Sequence, residues 1–128
     1  MEKFEKITDN TFSKLERLTS KTLIQELFTN GSSFYLFPFK IIYLKADPAL
    51  PSHQVLFSVP KKNFKRAVDR NKIKRQLKEA YRLNKSIIAN LPDKLCIGYI
   101  YTFKEKLPYA NLEKKLTESL TRLTQEVI

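Results

Sequence analysis

Between Lys61 and Lys85 the chain places eleven basic side chains: Lys61, Lys62, Lys65, Arg66, Arg70, Lys72, Lys74, Arg75, Lys78, Arg82 and Lys85. Only Asp69 and Glu79 oppose them, so this stretch holds +9 of the chain's net +11 and the remainder is nearly neutral. Arginine presents a planar fork that can grip two phosphate oxygens at once, and lysine a compact, mobile charge. Asn71, set among them, can donate and accept a hydrogen bond together. The chemistry open to such a set is the capture of a polyanion. A run of charge is ordinarily a solvated helix face held by intrahelical ion pairs. Eleven bases against two acids cannot be held that way, because like charges three and four residues apart repel. A polyanion on this surface removes the repulsion and releases its own counterions on binding.

Chemistry of the bond-making kind has little to work with. His53 is the only histidine and stands in a loop beside Pro48 and Pro51, where an exposed ring with no catalytic or metal-binding role is expected. No cluster has metal-ligand spacing. Two glycines cannot supply a phosphate-binding or dinucleotide loop. Asp69 and Glu79 lie ten positions apart, on different helical turns, and read as helix-end and salt-bridge residues. The expectation is no catalytic residue, no metal and no cofactor held by the protein itself. Cys96 is the sole cysteine and lies in an apolar run, so no intramolecular disulfide can form and a small core residue in a reducing, cytoplasmic setting is expected. No run approaches the roughly 18 uninterrupted apolar residues of a membrane span. Residues Met1 to Lys6 lack an apolar signal core, which again points to the cytoplasm and away from membranes.

These residues need elements to position them. At 128 residues the chain suits one domain, taken as residues 1–128. Ser20 reads as an N-cap, Leu23, Ile24, Leu27 and Phe28 follow at helical spacing, and Asn30-Gly31 closes a short amphipathic helix. Phe34 to Leu44, rich in aromatic and β-branched residues, reads as one strand, with Pro38 at a bulge, a strand start or an edge. Gln54 to Val59 reads as a second strand and Leu95 to Phe103 as a third, apolar nearly throughout and so central and covered on both faces. Ala67 to Asn84 is a strong helix, and Pro108 to Ile128 another, with Leu112, Leu116, Leu120, Leu123 and Val127 as its apolar stripe. Together they make an α+β fold, a small sheet with helices packed on it. At about 100° per residue, Ile73, Leu77, Ala80 and Tyr81 share a core-facing side of the long helix. Arg70, Asn71, Lys74, Arg75, Lys78 and Arg82 fall on an adjoining arc, whereas Lys72, Gln76 and Glu79 point elsewhere.

The spacing is more specific than the charge. Lys61-Lys62, then Ala67-Val68, then Arg70-Asn71-x-x-Lys74-Arg75-x-x-Lys78-Glu79-Ala80-Tyr81-Arg82 resembles the signature of the bacterial ribonuclease P protein family over some 25 residues. Arg17-Leu18, and Leu27-Phe28 followed by Gly31, are similar to weaker features at the family's N-terminal end. The sequence departs from the pattern at Pro60, where the family has Ser or Ala, at Lys78, where it mostly has Arg, and at Asn63-Phe64, where many members have a small apolar residue and Gly. The R-N-x-x-K-R core is kept.

That resemblance implies a two-layer α/β sandwich with a mixed sheet and a left-handed crossover, although the general rule would make the crossover right-handed. It implies a subunit of ribonuclease P, the endonuclease that matures the 5′ end of tRNA, with catalysis and its magnesium ions in a large RNA subunit. The partners it implies are that catalytic RNA and precursor tRNA, with no further protein required. Arg66, Arg70, Asn71, Lys74, Arg75, Lys78 and Arg82 would contact the RNA subunit. Lys61, Lys62, Phe28 and Lys40 would hold the single-stranded 5′ leader in a cleft between the first helix and the sheet. Such aromatics stack on any base, which suits leaders of varied sequence. On this parity Lys40 and Ile42 face the cleft and Tyr43 the core, subject to strand register, since a one-residue slip exchanges the faces. The alternatives are another structural RNA-binding protein, such as a ribosomal protein, or a DNA- or membrane-surface protein. The last two lack, respectively, a helix-turn-helix pattern and a broad aromatic apolar helix face. Replacing Arg70 or Arg75 by Ala is expected to weaken RNA binding and spare stability, and replacing Leu77 to do the reverse.

Overall fold

The computed structural model describes residues 12–127. The reading of Met1 to Lys6, and the outer ends of the 1–128 domain and of the last helix, lie outside the described residues. After a short 3-10 turn at Lys14–Glu16 come helix α1 (Lys21–Asn30), strands β1 (Ser32–Leu36), β2 (Phe39–Lys45) and β3 (Gln54–Ser58), and helix α2 (Ala67–Asn84). A second 3-10 turn (Lys85–Ile88), strand β4 (Leu95–Tyr101) and helix α3 (Tyr109–Glu126) follow. The sheet runs in the order β1-β2-β4-β3. β2 is antiparallel to β1 and β4, and β3 is parallel to β4, which makes the sheet mixed.

The expected single strand from Phe34 to Leu44 is instead a hairpin that turns at Phe37-Pro38. Pro38 has no N–H to give to a ladder, and the chain folds back there instead of running through it. Thr102 closes the turn: its N–H donates to the Pro38 carbonyl oxygen at 2.8 Å and its hydroxyl to the same oxygen at 2.9 Å. This also ends β4 at Tyr101, short of the expected Phe103. β4 is an inner strand, as its apolar run required, and every residue from Leu95 to Tyr99 is buried.

Alternation sorts the sheet into two faces. Phe34, Phe39, Ile41, Val55, Phe57, Ile97, Tyr99 and Tyr101 join Ile73, Leu77, Ala80 and Tyr81 of α2 and Leu112, Leu116, Leu120 and Leu123 of α3 in the main core. Tyr43 packs against the same core, and its hydroxyl reaches Glu126 at 3.2 Å. At the centre Tyr99 donates to Ser119 Oγ at 2.6 Å, and Ser119 passes a bond of the same length to the Leu116 carbonyl. Burial pushes the Tyr99 and Tyr81 phenols up, so both stay neutral. Among the described residues the opposite face carries helix α1, over a smaller cluster of Leu18, Leu27, Ile42 and Cys96. The sheet thus has two helices on one side and one on the other.

Ser20 caps α1 as expected, its Oγ accepting from the Leu23 N–H at 3.3 Å. Gly31 ends it without a left-handed backbone (φ −74°). The need for glycine there is spatial: a Cβ would stand 2.5 Å from the Leu27 carbonyl oxygen and 2.9 Å from Ile42 Cγ2. Gly98 lets α1 lie close on β4, since a Cβ there would already be 3.3 Å from Leu27 Cδ2.

His53 departs from the expectation of an exposed loop residue. It is buried, with Nε2 2.8 Å from the Ile88 carbonyl oxygen and Nδ1 accepting from the Leu95 N–H at 3.0 Å. That pair of partners requires the neutral ring with the proton on Nε2. Burial is the main cause that holds its pKa below the usual histidine value, with Lys94 adding to it against the Ile88 bond. The unfolded chain therefore binds the proton first as the pH falls below about 6.5. Stability from this group is complete above that pH and is lost on acidification towards the lower folded-state value. Urea midpoints at about pH 7.5 and about pH 5.5 should differ more for the natural chain than for His53→Ala. Equal differences would show that His53 does not carry the slope.

Candidate RNA-binding surface

Helix α2 forms where its periodicity placed it, and its four core residues are all buried. Next to them Asn71, Arg75 and Lys78 are exposed and Lys74 is half-buried. None of Lys74, Arg75, Lys78, Lys61, Lys62 or Lys65 lies within ion-pair distance of a carboxylate among the described residues. This subset of the basic arc is available to phosphate.

Arg66, Arg70, Arg82 and Lys85 already have partners within the fold. Arg70, expected to be exposed, is half-buried, and its Nη1 donates to the carbonyl oxygens of Phe64 and Lys65 at 2.8 Å each. It thereby ties the connector between β3 and α2 to the first turn of the helix. Phe64, in the same connector, is buried in the main core. Arg82 pairs with Glu79, Nη2 to Oε2 at 2.6 Å, and the guanidinium holds that carboxyl below its usual range. Lys85 closes a largely buried pair with Glu16 at 2.6 Å, joining the end of α2 to the first 3-10 turn. Asp69 sits between Lys106 at 2.7 Å and Arg66 at 3.5 Å, and Lys106 above all holds its carboxyl low. Arg66 itself remains mostly open, its side chain 76% exposed. Both acids of the stretch are thus salt-bridge residues, as their spacing suggested.

On the α1 face the helix covers the middle of the sheet and leaves one cross-strand row open. Register places Tyr35 opposite Lys40, Lys40 opposite Ile100, and Ile100 opposite Ser58. Tyr35 and Lys40 are exposed, and Ile100 and Ser58 are half-buried. Lys40 and Ile42 therefore lie on the α1 side of β2 and Tyr43 on the core side. Phe28 is 47% exposed on α1, while its neighbour Leu27 is wholly buried against the sheet. Just past Ser58 the chain enters the connector, where Lys61 and Lys62 are exposed. The connector Val59 to Arg66 thus runs from the end of the open row to the start of the basic helix.

Tyr35 and Ile100 were not among the residues singled out from the sequence. Tyr35 is hidden in an aromatic run whose faces cannot be assigned until the hairpin turn is known. Ile100 reads as one more core residue of a strand apolar almost throughout. Among the described residues no group of three or more His, Cys, Asp or Glu side chains is placed to hold a metal ion. No described helix is long and apolar enough to cross a membrane.

Residues 12–124 match the protein-family description Ribonuclease P. The chain is 34% identical over 120 residues to a ribonuclease P protein component of Porphyromonas gingivalis, covering 90% of this chain and 88% of that one. The solved RNase P protein of Thermotoga maritima superposes with a TM-score of 0.69 at 26% identity, over 84% of this chain and 96% of that one. The Staphylococcus aureus RNase P protein shares the fold, with a TM-score of 0.70 at 23% identity, over 86% of this chain and 95% of the other.

Proposed function

The chain belongs to the ribonuclease P protein family, and we propose that it works as the protein component of that endoribonuclease, binding the catalytic RNA through α2 and the precursor tRNA leader along the open row. The observation that carries this reading is the division of the surface. Exposed cations without carboxylate partners among the described residues lie on α2, an aromatic and basic row lies beside α1, and Lys61 and Lys62 stand in the connector between β3 and α2.

A helix studded with lysine and arginine suits the close-set phosphates of a folded RNA, where positioning rather than base readout is needed. Asn71, exposed within the stripe, can meet a ribose 2′-hydroxyl as donor or acceptor. An open row with a tyrosine, a phenylalanine nearby and a lysine suits a single strand, whose bases can turn outward and stack. In this reading the protein performs no bond cleavage. Hydrolysis, and the magnesium it uses, belong to the RNA subunit, while the protein screens phosphate repulsion between that RNA and its substrate.

Cleavage of precursor tRNA by a ribonuclease P RNA at low magnesium, with and without the protein, tests the reading. Protein-dependent cleavage at the mature 5′ end is the expected result. Tight RNA binding without any stimulation of a cognate RNA would move the chain to a general structural RNA-binding role.

A further inference from the structure

Beyond the open row, at the end of the sheet, lies a group of aromatic side chains that the fold does not bury. Phe37, at the hairpin turn, is 42% exposed and meets Phe103 edge-on at 5.0 Å between ring centroids. Tyr35 is 56% exposed, and its hydroxyl lies 3.3 Å from Thr102 Oγ1, beside Phe103 in the chain. Exposed rings clustered at one tip are a cost in water unless something covers them. Their surroundings are cationic. A concavity of about 440 Å³ opens next to them, walled by Pro60, Lys62, Asn63, Ile100, Thr102 and Lys104. Lys62 and Lys104 are exposed there, and neither pairs with a carboxylate among the described residues. The tip is rigidly held, by Thr102 on the Pro38 carbonyl, by the Asn63 amide on the Tyr101 carbonyl at 3.2 Å, and by the Tyr101 hydroxyl on the Glu105 carbonyl at 2.6 Å.

We propose that this hairpin tip is a second stacking platform for single-stranded RNA, continuing the leader track past the open row: Phe37 and Tyr35 take bases, and Lys62 and Lys104 take the phosphates between them. Two features select this occupant. The platform is continuous with the row through Tyr35, which belongs to both. The charged residues lining the concavity, Lys62 and Lys104, are cations, which complement a phosphate backbone and disfavour a basic or purely apolar partner. Stacking on these rings is tolerant of sequence, so the platform sets how much leader is held and not which leader. Rigidity matters because rings already fixed lose little freedom when a base lands on them.

The inference rests on the leader-binding reading, and the test separates the two. Holoenzyme is assembled from a ribonuclease P RNA and the full chain, and its affinity is measured for precursor tRNAs whose leaders either end within the open row or extend several nucleotides further. With the natural protein the longer leader is expected to bind more tightly. Phe37→Ala should lose that increment, roughly 5- to 150-fold for one stacked base, and should leave the short-leader affinity unchanged. Phe37→Tyr should keep it. Because Phe37 also packs on Phe103, Lys104→Ala, outside the open row, serves as a second variant, and melting curves show that each folds. A long-leader advantage that survives both substitutions would overturn the platform and leave leader binding intact. No dependence on the leader in the natural holoenzyme would overturn leader binding and the platform together. Loss of RNA-subunit assembly in Phe37→Ala would assign the tip to that RNA instead and overturn the proposal.

Discussion

Replacing Lys74, Arg75 and Lys78 together by Ala is expected to weaken binding to ribonuclease P RNA on the order of 100-fold near physiological salt and to leave the fold stable. An exposed phosphate contact contributes about 1 kcal/mol, and three such contacts give about 3 kcal/mol, which is that scale. Arg75 and Lys78 are exposed, Lys74 is half-buried, and none pairs with a carboxylate among the described residues, so their removal takes little from the folded chain. Removing three charges from a helix that carries so few acids even relieves repulsion. The salt dependence is the sharper readout. Each lost phosphate contact lowers the slope of log K against log salt by about 0.7–0.9, so the triple variant should fall by about 2–3. An unchanged slope would show that these side chains do not meet phosphate. Arg70→Ala should behave differently. It removes two hydrogen bonds to the connector carbonyls, so it should lower stability by about 1–3 kcal/mol as well as perturb the position of Lys61 and Lys62. Arg70 thus departs from the expectation of an exposed residue whose loss spares the fold.

The largest stability effect belongs to Leu77. It is wholly buried on α2 within the core that joins the sheet, α2 and α3. Truncation to Ala should cost about 2–5 kcal/mol through lost burial and the cavity left behind. Domains of this kind are stable by only about 5–15 kcal/mol, so the variant would stand near the edge of unfolding. Because the basic stripe is built on the same helix, RNA affinity should fall along with the melting temperature and return when the fold is rescued by cooling or by excess RNA. Urea denaturation checks the first part. A Leu77→Ala protein with a natural midpoint would mean that the packing around α2 is not the one described.

These two variants mark how far the sequence could be read. The span of α2 and its two faces were legible, because both follow from a period of 3.6 residues and from which side chains avoid water. The end residues agree as well, Ala67 and Asn84 being its first and last. The capped α1, the central apolar β4 and the leucine stripe of α3 were legible for the same reason: each is specified by residues close together in the chain. So was the signature that places the chain in its family, since it is a matter of spacing.

Other features arise only from contacts between residues far apart in the chain. Lys85 adds one more charge to the basic stretch, yet Glu16, 69 positions away, occupies it. His53 in a proline-flanked loop looked exposed, yet Ile88 and Leu95, 35 and 42 positions on, enclose it and take up both ring nitrogens. The aromatic run from Phe34 looked like one strand, and the turn at Pro38 is locked by Thr102, 64 positions away. That turn sets the register that puts Tyr35 beside Lys40 and brings Phe37 to Phe103. The sequence by itself determined which residues could bind a polyanion and which helix would carry them. Only the tertiary structure decided which of those charges remain available, because an ion pair or hydrogen bond forms wherever the fold brings partners within about 3 Å, and no local periodicity records that meeting.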